Sequence, residues 1–517
     1  MTGIFTGATP AADWVIVLPL VLALFGAALL TMLRRASILA GGIAVLVIAA
    51  IIACEIALVS RILAEGPVSM TMGKWLPPFG ISFTADLFGA GFALAASIVT
   101  LVLLVYDVAE RDPREARDGF YAMALLLLAG VTGAFLTGDL FNLYVWFEVM
   151  LIASFGLIVL GGGAGQLDGA IKYGFLNFLA TAFFLLALGL LYGLLGTLNM
   201  ADIMRVAPGA NPAPMAGIAA LLLLAFSMKA AAFPLNAWLP ASYHMPPAAI
   251  SALFGGLLTK VGAYALLRTL AALLPQSRDW LDPLLTGMAV ATLLIAPLGA
   301  IAETNLRRAI GFMLIGGIGA ILAGLAMPTT DGIAGAGFYI FHAMLTLTAL
   351  YLVAGLVEKL TGETDTRRMG GLYAANSGTS ILFLLLVLAV SGVPPFLGFW
   401  PKLLLLQTGL DGGDTLLVVA LILNAFLTLI AGSRLWAHVF WRAGPEGVYS
   451  EQGMANMRVL SRREAGFGFG AAAALALVIF VIGLWPNPLF AAARIGAGDL
   501  LDPARYVAAV GLAGGVP

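Results

Sequence analysis

The most regular feature of the chain is a succession of apolar runs of about twenty residues, separated by short polar segments. A helix rises about 1.5 Å per residue, so about twenty apolar residues cross the roughly 30 Å hydrocarbon layer of a bilayer. The pattern predicts an all-α integral membrane protein with about fourteen transmembrane helices. The runs begin near Trp14, Ile38, Phe83, Phe120, Leu140, Ala170, Met215, Pro247, Pro283, Arg308, Ile333, Ser377, Thr415 and Gly466.

Composition supports this interpretation and removes several classes of function. The chain is 61% hydrophobic and 10% charged with a mean hydropathy of +1.03, which indicates that its main solvent is lipid. Its net charge of -1 lacks the basic excess that nucleic-acid binding needs. Cys54 is the single cysteine, which excludes an intramolecular disulfide, a Cys-rich zinc site and a Cys-ligated iron-sulfur cluster. We expect no cofactor and no bound metal.

No polar stretch is long enough to bury a soluble core of its own, so residues 1–517 are interpreted as one membrane domain. Within it we expect three N-terminal helices in residues 1–118 and a last helix in residues 466–490. Two repeated units are expected between them, in residues 119–273 and 282–441.

Two connecting features of the N-terminal part can also be predicted. The first apolar run, residues 14–33, has full spanning length and no basic residue before Arg34, so we expect a retained helix rather than a cleaved signal peptide. Residues 65–82 are rich in proline and glycine, which favours an extended or hairpin connection at the outer face.

Basic residues predict the orientation, because they favour cytoplasmic loops. Loops after even-numbered helices hold five of them, and one of these, Arg268, is close enough to the eighth run to lie inside it. The excess after odd-numbered helices places both termini at the outer face of a bacterial inner membrane. The fourteen basic residues in those loops are Arg34, Arg35, Arg111, Arg114, Arg117, Arg307, Arg308, Lys359, Arg367, Arg368, Arg442, Arg458, Arg462 and Arg463.

Five ionisable residues stand well inside predicted spans, where a charge costs at least about 2.5 to 3.5 kcal/mol and therefore marks a partner or a water-filled path. A structural Glu148–Lys229 ion pair is one interpretation, but three buried lysines with one buried acid argue against it. Desolvation disfavours the ammonium form, so a buried lysine can exchange its proton near physiological pH. Opening or closing a pair with Glu148 would then switch the proton affinity of Lys229. We call Glu148, Lys229, Lys260, His342 and Lys402 the polar row and expect protons to pass along it through water.

Other ionisable residues are explained without transport. Helix capping or a surface position accounts for those near predicted helix ends, among which Asp139 is the best candidate for an accessory role. His244 and His438 have the sequence context of surface or interface residues. The residues near predicted helix ends are Glu55, Asp86, Asp139, Lys172 and Glu303.

Proline predicts interruptions in two helices that carry lysines of the polar row. Pro234 follows Lys229 by five residues, and three prolines stand just before Lys402. Broken helices beside a charged group at the midplane are typical of transporters with inverted repeats, so we expect helices 4–8 to match helices 9–13 with breaks in helices 7 and 12. The prolines before Lys402 are Pro394, Pro395 and Pro401.

Two long strings resemble a known family. NAWLPASYHMPPAAISALFGGLLTKVGAYALLR (residues 236–268) resembles a signature of the proton-conducting antiporter family, which includes antiporter-like subunits of respiratory complex I and large subunits of Mrp cation/proton antiporters. GDLFNLYVWFEVMLIASFGLIVLGG (residues 138–162) is most similar to the Mrp D subunits, called PhaD in some bacteria. A lysine at 402, where the complex I subunit of similar size typically has glutamate, favours the D type. The resemblance covers essentially the whole chain.

The resemblance implies a fold of fourteen helices with two inverted five-helix repeats. It also implies that Glu148 and Lys229 are the family's acid and lysine pair, that Lys260 is its central lysine, and that His342 and Lys402 are its eleventh- and twelfth-helix groups. The implied partners are the A, B, C, E, F and G types of subunit in an Mrp complex, with H⁺ and Na⁺ or K⁺ as transported ions.

The implied function is therefore a proton-translocating subunit of a Na⁺/H⁺ antiporter, which is not itself an enzyme. The alternative is a subunit of a redox-driven pump, either a complex I-type quinone oxidoreductase or a membrane-bound hydrogenase. A non-conducting scaffold would not need three buried lysines. The residues alone leave open the cation path, the choice between Na⁺ and K⁺, and a role for His244.

Overall fold

The computed structural model describes residues 9–33, 37–110, 119–443 and 458–512. In these ranges the chain is nearly all helical, and 12 helices are long and apolar enough to cross a membrane. The expected all-α membrane fold is confirmed, whereas the count of fourteen helices and the inverted repeat stay predictions. Outside the described ranges lie five of the residues used to predict orientation, namely Arg34, Arg35, Arg111, Arg114 and Arg117.

The N-terminal part contains three long helices and one β-hairpin. Val68 pairs with Ala85 and Thr71 with Ser82 in an antiparallel register, so of the extended or hairpin connection expected in residues 65–82 the structure has the hairpin, whose second strand extends to Ala85. The elements are α1 (Trp14–Met32), α2 (Ser37–Glu65), β1 (Val68–Thr71), β2 (Ser82–Ala85) and α3 (Leu87–Glu110).

The middle of the chain runs from α4 to α10, and the last of these helices continues directly into a π-helical segment, Leu267–Leu273. Asparagine or aspartate caps several of these helices, because its side chain accepts from a backbone N–H of the first turn. The elements are α4 (Phe120–Leu136), α5 (Leu140–Ile158), α6 (Ala164–Leu195), α7 (Met200–Val206), α8 (Pro212–Ala230), α9 (Trp238–Ser242) and α10 (Ala248–Leu266).

The remaining part holds ten helices in the described ranges, with π-helical segments at Ala437–Trp441 and Glu464–Phe469. The elements are α11 (Pro275–Ala302), α12 (Leu306–Ala326), α13 (Thr330–Thr361), α14 (Leu372–Ala375), α15 (Ser377–Ser391), α16 (Phe399–Gly412), α17 (Thr415–Trp436), α18 (Gly470–Leu484), α19 (Asn487–Leu501) and α20 (Ala504–Ala509).

Three helices form the centre of the molecule. The span Ala248–Leu273, which contains α10, is completely buried, and α12 and α13 are nearly so, whereas α2 exposes much of its surface. All four of these helices are strongly apolar. Lipid tails are as apolar as a protein interior, so a helix that faces lipid can be as hydrophobic as one that faces protein. The centre of the bundle therefore could not be predicted from hydropathy alone.

Both helices that were expected to break are interrupted. After α8 the chain leaves helical conformation at Ala231 and resumes it in α9, and Pro234 lies in the gap. After α15 it leaves helical conformation at Gly392 and resumes it in α16, with Pro394 and Pro395 in the gap.

Pro401 differs from the expectation, because it lies in the first turn of α16 rather than in the interruption. A proline is tolerated there, since the N–H groups of a first turn have no intrahelical acceptor.

Candidate functional site

Lys229 lies in the last turn of α8, where the helix dipole favours a cation. Its side chain is buried, and Nζ donates a 3.0 Å hydrogen bond to Oγ1 of Thr181 on α6. The ammonium also stands 4.8 Å from the centre of the Phe147 ring, within range of a cation–π interaction. The Trp238 indole of α9 donates to the Met228 carbonyl at 2.9 Å and so closes the interrupted end of α8.

A polar stripe on α6 faces this lysine. Tyr173, Asn177 and Thr181 are spaced by four residues, which places them on one face of the helix. The Thr181 hydroxyl donates to the Asn177 carbonyl at 3.0 Å, and the Tyr173 hydroxyl lies 2.7 Å from Oγ of Ser154. Beside the stripe is a cavity of about 10 Å³, lined in part by Lys229, Tyr173 and Asn177, which is close to the space that one water needs.

Glu148 lies on α5, and its position departs from a simple ion pair with Lys229. In the described part of the chain the two side chains form no salt bridge, although Lys229 lies within electrostatic range of the carboxylate. Glu148 is half-buried, and its Oε1 is buried without a hydrogen-bond partner. The pair proposed as a switch is thus open in this structure.

Lys402 occupies the second interruption. Its buried side chain reaches back across the gap, and Nζ donates to the carbonyls of Ser391 at 2.8 Å and Val390 at 3.2 Å, the last residues of α15. These carbonyls lack intrahelical donors, so a lysine there both satisfies them and complements the negative end of the helix. Gly392 makes this possible, because a Cβ at residue 392 would lie 2.7 Å from Cδ of Lys402.

Lys229 and Lys402 thus lie at equivalent helix ends, those of α8 and α15, although they occupy different positions relative to the two interruptions. Ala231 and Gly392 are the left-handed residues that end α8 and α15. When these two are matched, Lys229 corresponds to Val390 and Lys402 corresponds to Ala241. One lysine precedes its interruption and the other follows it, yet both ammonium groups lie at the carboxyl end of the first half-helix.

Lys260 lies between these positions, on the fully buried helix α10. It is 0% exposed, and Nζ donates to the Gly255 carbonyl of its own helix. The helix packs directly against the end of α8, because a Cβ at Gly262 would lie 2.7 Å from the Ala230 nitrogen. Glycine at 262 therefore allows the backbone carrying Lys260 to approach the backbone carrying Lys229.

His342 on α13 connects Lys260 with Lys402. It is 1% exposed and lies within electrostatic range of both lysines. Nδ1 of the ring is 3.0 Å from Oγ1 of Thr346, and the opposite edge packs against Gly398 in the second interruption. A ring held in this way can carry a proton on either nitrogen.

The structure therefore brings the polar row together through intermediaries rather than by direct contact. Within the described ranges no hydrogen bond joins two members of the row. Protons passing along it would have to use water or the intervening hydroxyl groups.

A second charged feature is a buried ion pair between Asp86, which was expected near a helix end, and Arg268, which was expected in or just after the eighth apolar run. Asp86, just before α3, pairs with Arg268 in the π-helical end of α10, and both are almost fully buried. Arg268 Nη2 also donates to the Tyr264 hydroxyl at 2.7 Å, and the Tyr264 hydroxyl donates to the Phe135 carbonyl at 3.1 Å. Asp86 also caps α3, as expected, because its Oδ1 accepts from the Gly89 N–H at 2.9 Å, but its buried pairing with Arg268 was not predicted. The spacing of Lys260, Tyr264 and Arg268 by four residues was the available signal.

Glu55 was also expected near a helix end, and this expectation is wrong. Helix α2 continues to Glu65, and the Glu55 side chain is 0% exposed in the interior of the protein. The apolar run that predicted the helix began near Ile38 and was counted as about twenty residues, which made the helix too short.

Asp139 and Glu303 do lie at helix ends. Asp139 is the N-cap of α5 and accepts a 2.8 Å hydrogen bond from the Asn142 N–H, while burial raises the pKa of this carboxyl. Glu303 ends α11 and accepts from the N–H groups of the two residues that follow. Lys172 is half-exposed on α6 and pairs with Asp168 at 2.5 Å. An accessory proton role for Asp139 stays a prediction.

The two remaining histidines lie apart from the polar row. His244 is half-buried in the loop between α9 and α10, and burial, followed by the charges of Arg308 and Arg307, lowers its pKa to about 4. It is therefore neutral at pH 7. His438 lies in the π-helical segment after α17. Among the described residues, no group of three or more His, Cys, Asp and Glu could hold a metal ion.

The fold and this site define a polytopic helical membrane protein whose interior carries protonatable side chains beside interrupted helices. A sequence model of the family described as NADH:quinone oxidoreductase/Mrp antiporter, TM matches residues 137–428, which include all five members of the polar row. The chain belongs to this family, as its sequence motifs had indicated.

Three known proteins illustrate the relationship. The chain is 36% identical over 447 residues to the D-type subunit of the Na(+)/H(+) antiporter of Alkalihalophilus pseudofirmus, covering 86% of this chain and 89% of that protein. It superposes on a chain of the Mrp complex from Dietzia sp. DQ12-45-1b with a TM-score of 0.89 and 27% identity, over 96% and 99% of the two chains. A chain of the archaeal membrane-bound sulfane sulfur reductase gives a TM-score of 0.86 and 28% identity over the same shares.

Proposed function

We propose that this chain is the proton-translocating D-type subunit of a multisubunit Na⁺/H⁺ antiporter. The observation that carries the proposal is the burial of Lys229, Lys260, His342 and Lys402 across the centre of the bundle, with two of the lysines at interrupted helix ends. Relatives at 36% identity are named as D-type subunits of Na⁺/H⁺ antiporters, which supports Na⁺ and H⁺ as the ions exchanged here.

Proton movement would follow because this buried interior stabilises a charged side chain only weakly. Burial disfavours each ammonium, so a lysine that loses a stabilising contact gives up its proton to water or to a neighbouring group. Thr181 and Glu148 offer two alternative stations for the Lys229 ammonium, and a shift between them would change its proton affinity. His342 would then relay protons between Lys260 and Lys402.

A redox-driven pump is the second candidate, because the chain also superposes on a component of a sulfane sulfur reductase at 28% identity. The proposed antiporter is favoured since the relatives at higher identity are antiporter subunits. Genes for the A, B, C, E, F and G types of subunit beside this one would support the antiporter, and genes for redox subunits would support the pump.

We further propose that the protein resides in the bacterial cell membrane with both termini at the outer face. Among the fourteen predicted spans, the loops after odd-numbered spans hold an excess of basic residues, which supports this orientation. The partners would be the six other subunit types, and this chain purified alone should be inactive. Na⁺ and K⁺ would be distinguished by the cation that drives proton flux.

Lysine replacement in the complete complex tests the proposal. Everted vesicles from an antiporter-deficient host should show Na⁺-induced proton flux with the wild-type chain and lose it with Lys229→Ala or Glu148→Ala. Lys172→Ala is the matched control, because Lys172 is half-exposed and paired at the surface. Normal flux in Lys229→Ala at a normal protein level would contradict the proposed function.

A further inference from the structure

Glu55 occupies a core position on α2. The buried residues of this helix recur at steps of four or three, which forms one stripe facing the protein, and Glu55 stands within that stripe. Its neighbour Ile56, about 100° further around the helix, is 52% exposed. The stripe comprises Ala40, Ala44, Ile48, Ile51, Glu55, Leu58 and Ile62.

The Glu55 carboxyl has no ordinary hydrogen bond. Both of its oxygens are buried without a partner, and so is the Ser97 hydroxyl of α3. Ser97 is the polar side chain that interacts with this carboxyl, although the two groups do not reach normal hydrogen-bond geometry. Three oxygen atoms that need partners are thus buried together between α2 and α3.

Five other buried acids in the described ranges have a basic partner or a capping role. Asp139 caps α5. Glu55 has no basic partner there, and it lies outside the five-residue polar row. The ion-paired examples are Asp86 with Arg268, Asp202 with Arg205, Glu464 with Arg458, and Asp499 with Arg505.

The helices packed against α2 place no cation opposite Glu55 within the described ranges. Residues 14–32 of α1 contain no Asp, Glu, Lys, Arg, His or Tyr. The ionisable residues of α3 lie at its two ends, with Asp86 before the helix and Asp107 near its far end. Tyr121 of α4 lies beside Gly41, which is fourteen residues from Glu55. On α2 itself, Arg61 is paired with Asp13 and Glu65.

A bare carboxylate in this place would be costly, because an unpaired ion in a low-dielectric interior loses its hydration without compensation. Two states avoid this cost. Either a proton neutralises the carboxylate, or a monovalent cation does so while Ser97 and water supply further oxygen ligands. The lysines of the polar row repel cations, so a Na⁺ site in this chain must lie away from them.

We propose that Glu55 and Ser97 form a site at which H⁺ and Na⁺ compete for one buried carboxylate. In the exchange the O–H bond of the Glu55 acid breaks and its proton leaves as Na⁺ coordinates the carboxylate oxygens. The net charge of the site is the same in both states, so the exchange avoids a buried unpaired charge. This inference rests on the proposed function, to which it adds a cation site.

The surroundings suggest a chemical probe. An apolar groove of about 230 Å³ is lined by Val59, one turn from Glu55, and by Leu94, one turn from Ser97. A hydrophobic carbodiimide such as dicyclohexylcarbodiimide can enter such a groove from the lipid. It adds to the protonated form of a carboxylic acid and leaves a stable acylurea, whose mass identifies the labelled residue.

The intact complex in membranes should be labelled at Glu55 when Na⁺ is replaced by choline at constant pH and ionic strength. At a Na⁺ concentration ten times its apparent Kd, mass action predicts labelling about tenfold slower. A lower pH should raise the Na⁺ concentration needed for half-protection, because H⁺ and Na⁺ compete. Peptide mass spectrometry measures the rate, and Glu55→Gln controls for assignment of the label.

Ser97→Ala is the second variant, since it keeps the carboxylate and removes one oxygen ligand. In this variant the Na⁺ concentration that half-protects Glu55 from labelling should be several-fold higher than in the wild-type chain. Absence of label at Glu55, or an equal rate with and without Na⁺, would overturn the proposal. If Lys229→Ala still abolishes proton flux in that case, the proposed function stands and only the Glu55 site is lost. If labelling is Na⁺-sensitive but Lys229→Ala has normal flux, the Glu55 site stands and the proposed proton-translocating function is lost.

Discussion

The Lys229 ammonium hydrogen-bonds to the Thr181 hydroxyl at 3.0 Å and forms no salt bridge with Glu148. A neutral hydroxyl holds an ammonium less strongly than a carboxylate would, so the lysine is kept in position without being fixed in its charged form. Thr181 also donates to the Asn177 carbonyl, which orients its free lone pairs toward Lys229.

Thr181→Val should therefore slow Na⁺-induced proton flux while leaving the complex assembled. The valine has nearly the same shape but cannot accept from the buried ammonium. Loss of a hydrogen bond to a charged group costs about 1.5 kcal/mol or more, which corresponds to a rate about tenfold lower. Thr181→Ser keeps the hydroxyl and should retain most of the flux. Equal flux in both variants would show that this contact has no part in transport.

The positions of the helices were largely predictable, because the thickness of the hydrocarbon layer sets the length of an apolar run. Helices were expected to begin at Phe120, Leu140, Ser377 and Thr415, and they do begin there. The proline residues after Lys229 and before Lys402 correctly predicted both interruptions, since proline removes backbone hydrogen bonds whatever the packing.

The contacts of the site were less predictable, because they depend on which faces of different helices meet. Nothing local to Lys229 indicates that Thr181, 48 residues earlier, will accept its hydrogen bond. The pairing of Asp86 with Arg268 likewise joins residues 182 positions apart. Glu55 could have been placed inside the span, since the apolar run that begins near Ile38 continues past it to Val59, but the face of α2 that is buried is not visible in the sequence.

The two interruptions begin with different residues in the same backbone conformation. Ala231 has φ 60° and Gly392 has φ 86°, and both lie in the left-handed region that disfavours a Cβ. Ala231→Gly should relieve this strain and raise the free energy of unfolding by about 0.5–1 kcal/mol. The apparent Tm of the purified complex, measured by intrinsic fluorescence, should rise.

Gly392→Ala is the opposite change at the matched position. It adds the conformational strain and places a Cβ 2.7 Å from Cδ of Lys402, so we expect a lower Tm and a displaced lysine. A lower Tm in Ala231→Gly, or an unchanged one in Gly392→Ala, would contradict this account of the two helix ends.

The buried Asp86–Arg268 pair should show strong coupling in a double-mutant cycle. Removing one partner leaves an uncompensated buried charge, and we expect Asp86→Asn or Arg268→Met alone to cost about 3–5 kcal/mol. Asparagine can still accept from the Gly89 N–H, so the local turn is kept. The double variant should recover much of the loss, measured by the level and Tm of the assembled complex. Additive losses would mean that the pair contributes no mutual stabilisation.

Asp499, which lies beside this pair on α19 and outside the predicted spans, should make stability depend on pH. Burial, together with the charge of Asp86, raises its pKa from 3.8 to about 6 in the folded protein. The folded state therefore binds more protons between about pH 4 and pH 6, so its stability falls as pH rises through that window. Asp499→Asn has no carboxyl to titrate, so it lacks this pH-dependent loss of stability. The free energy of unfolding of the variant relative to wild type should therefore increase from pH 4 to pH 6 by on the order of 1–2 kcal/mol after allowance for solvent screening. Arg505, the partner that this variant loses, is half-exposed, so the lost pair contributes little. Tm measured from pH 4 to pH 8, with the exposed Asp411→Asn as control, checks this, and a constant difference across that range would refute it.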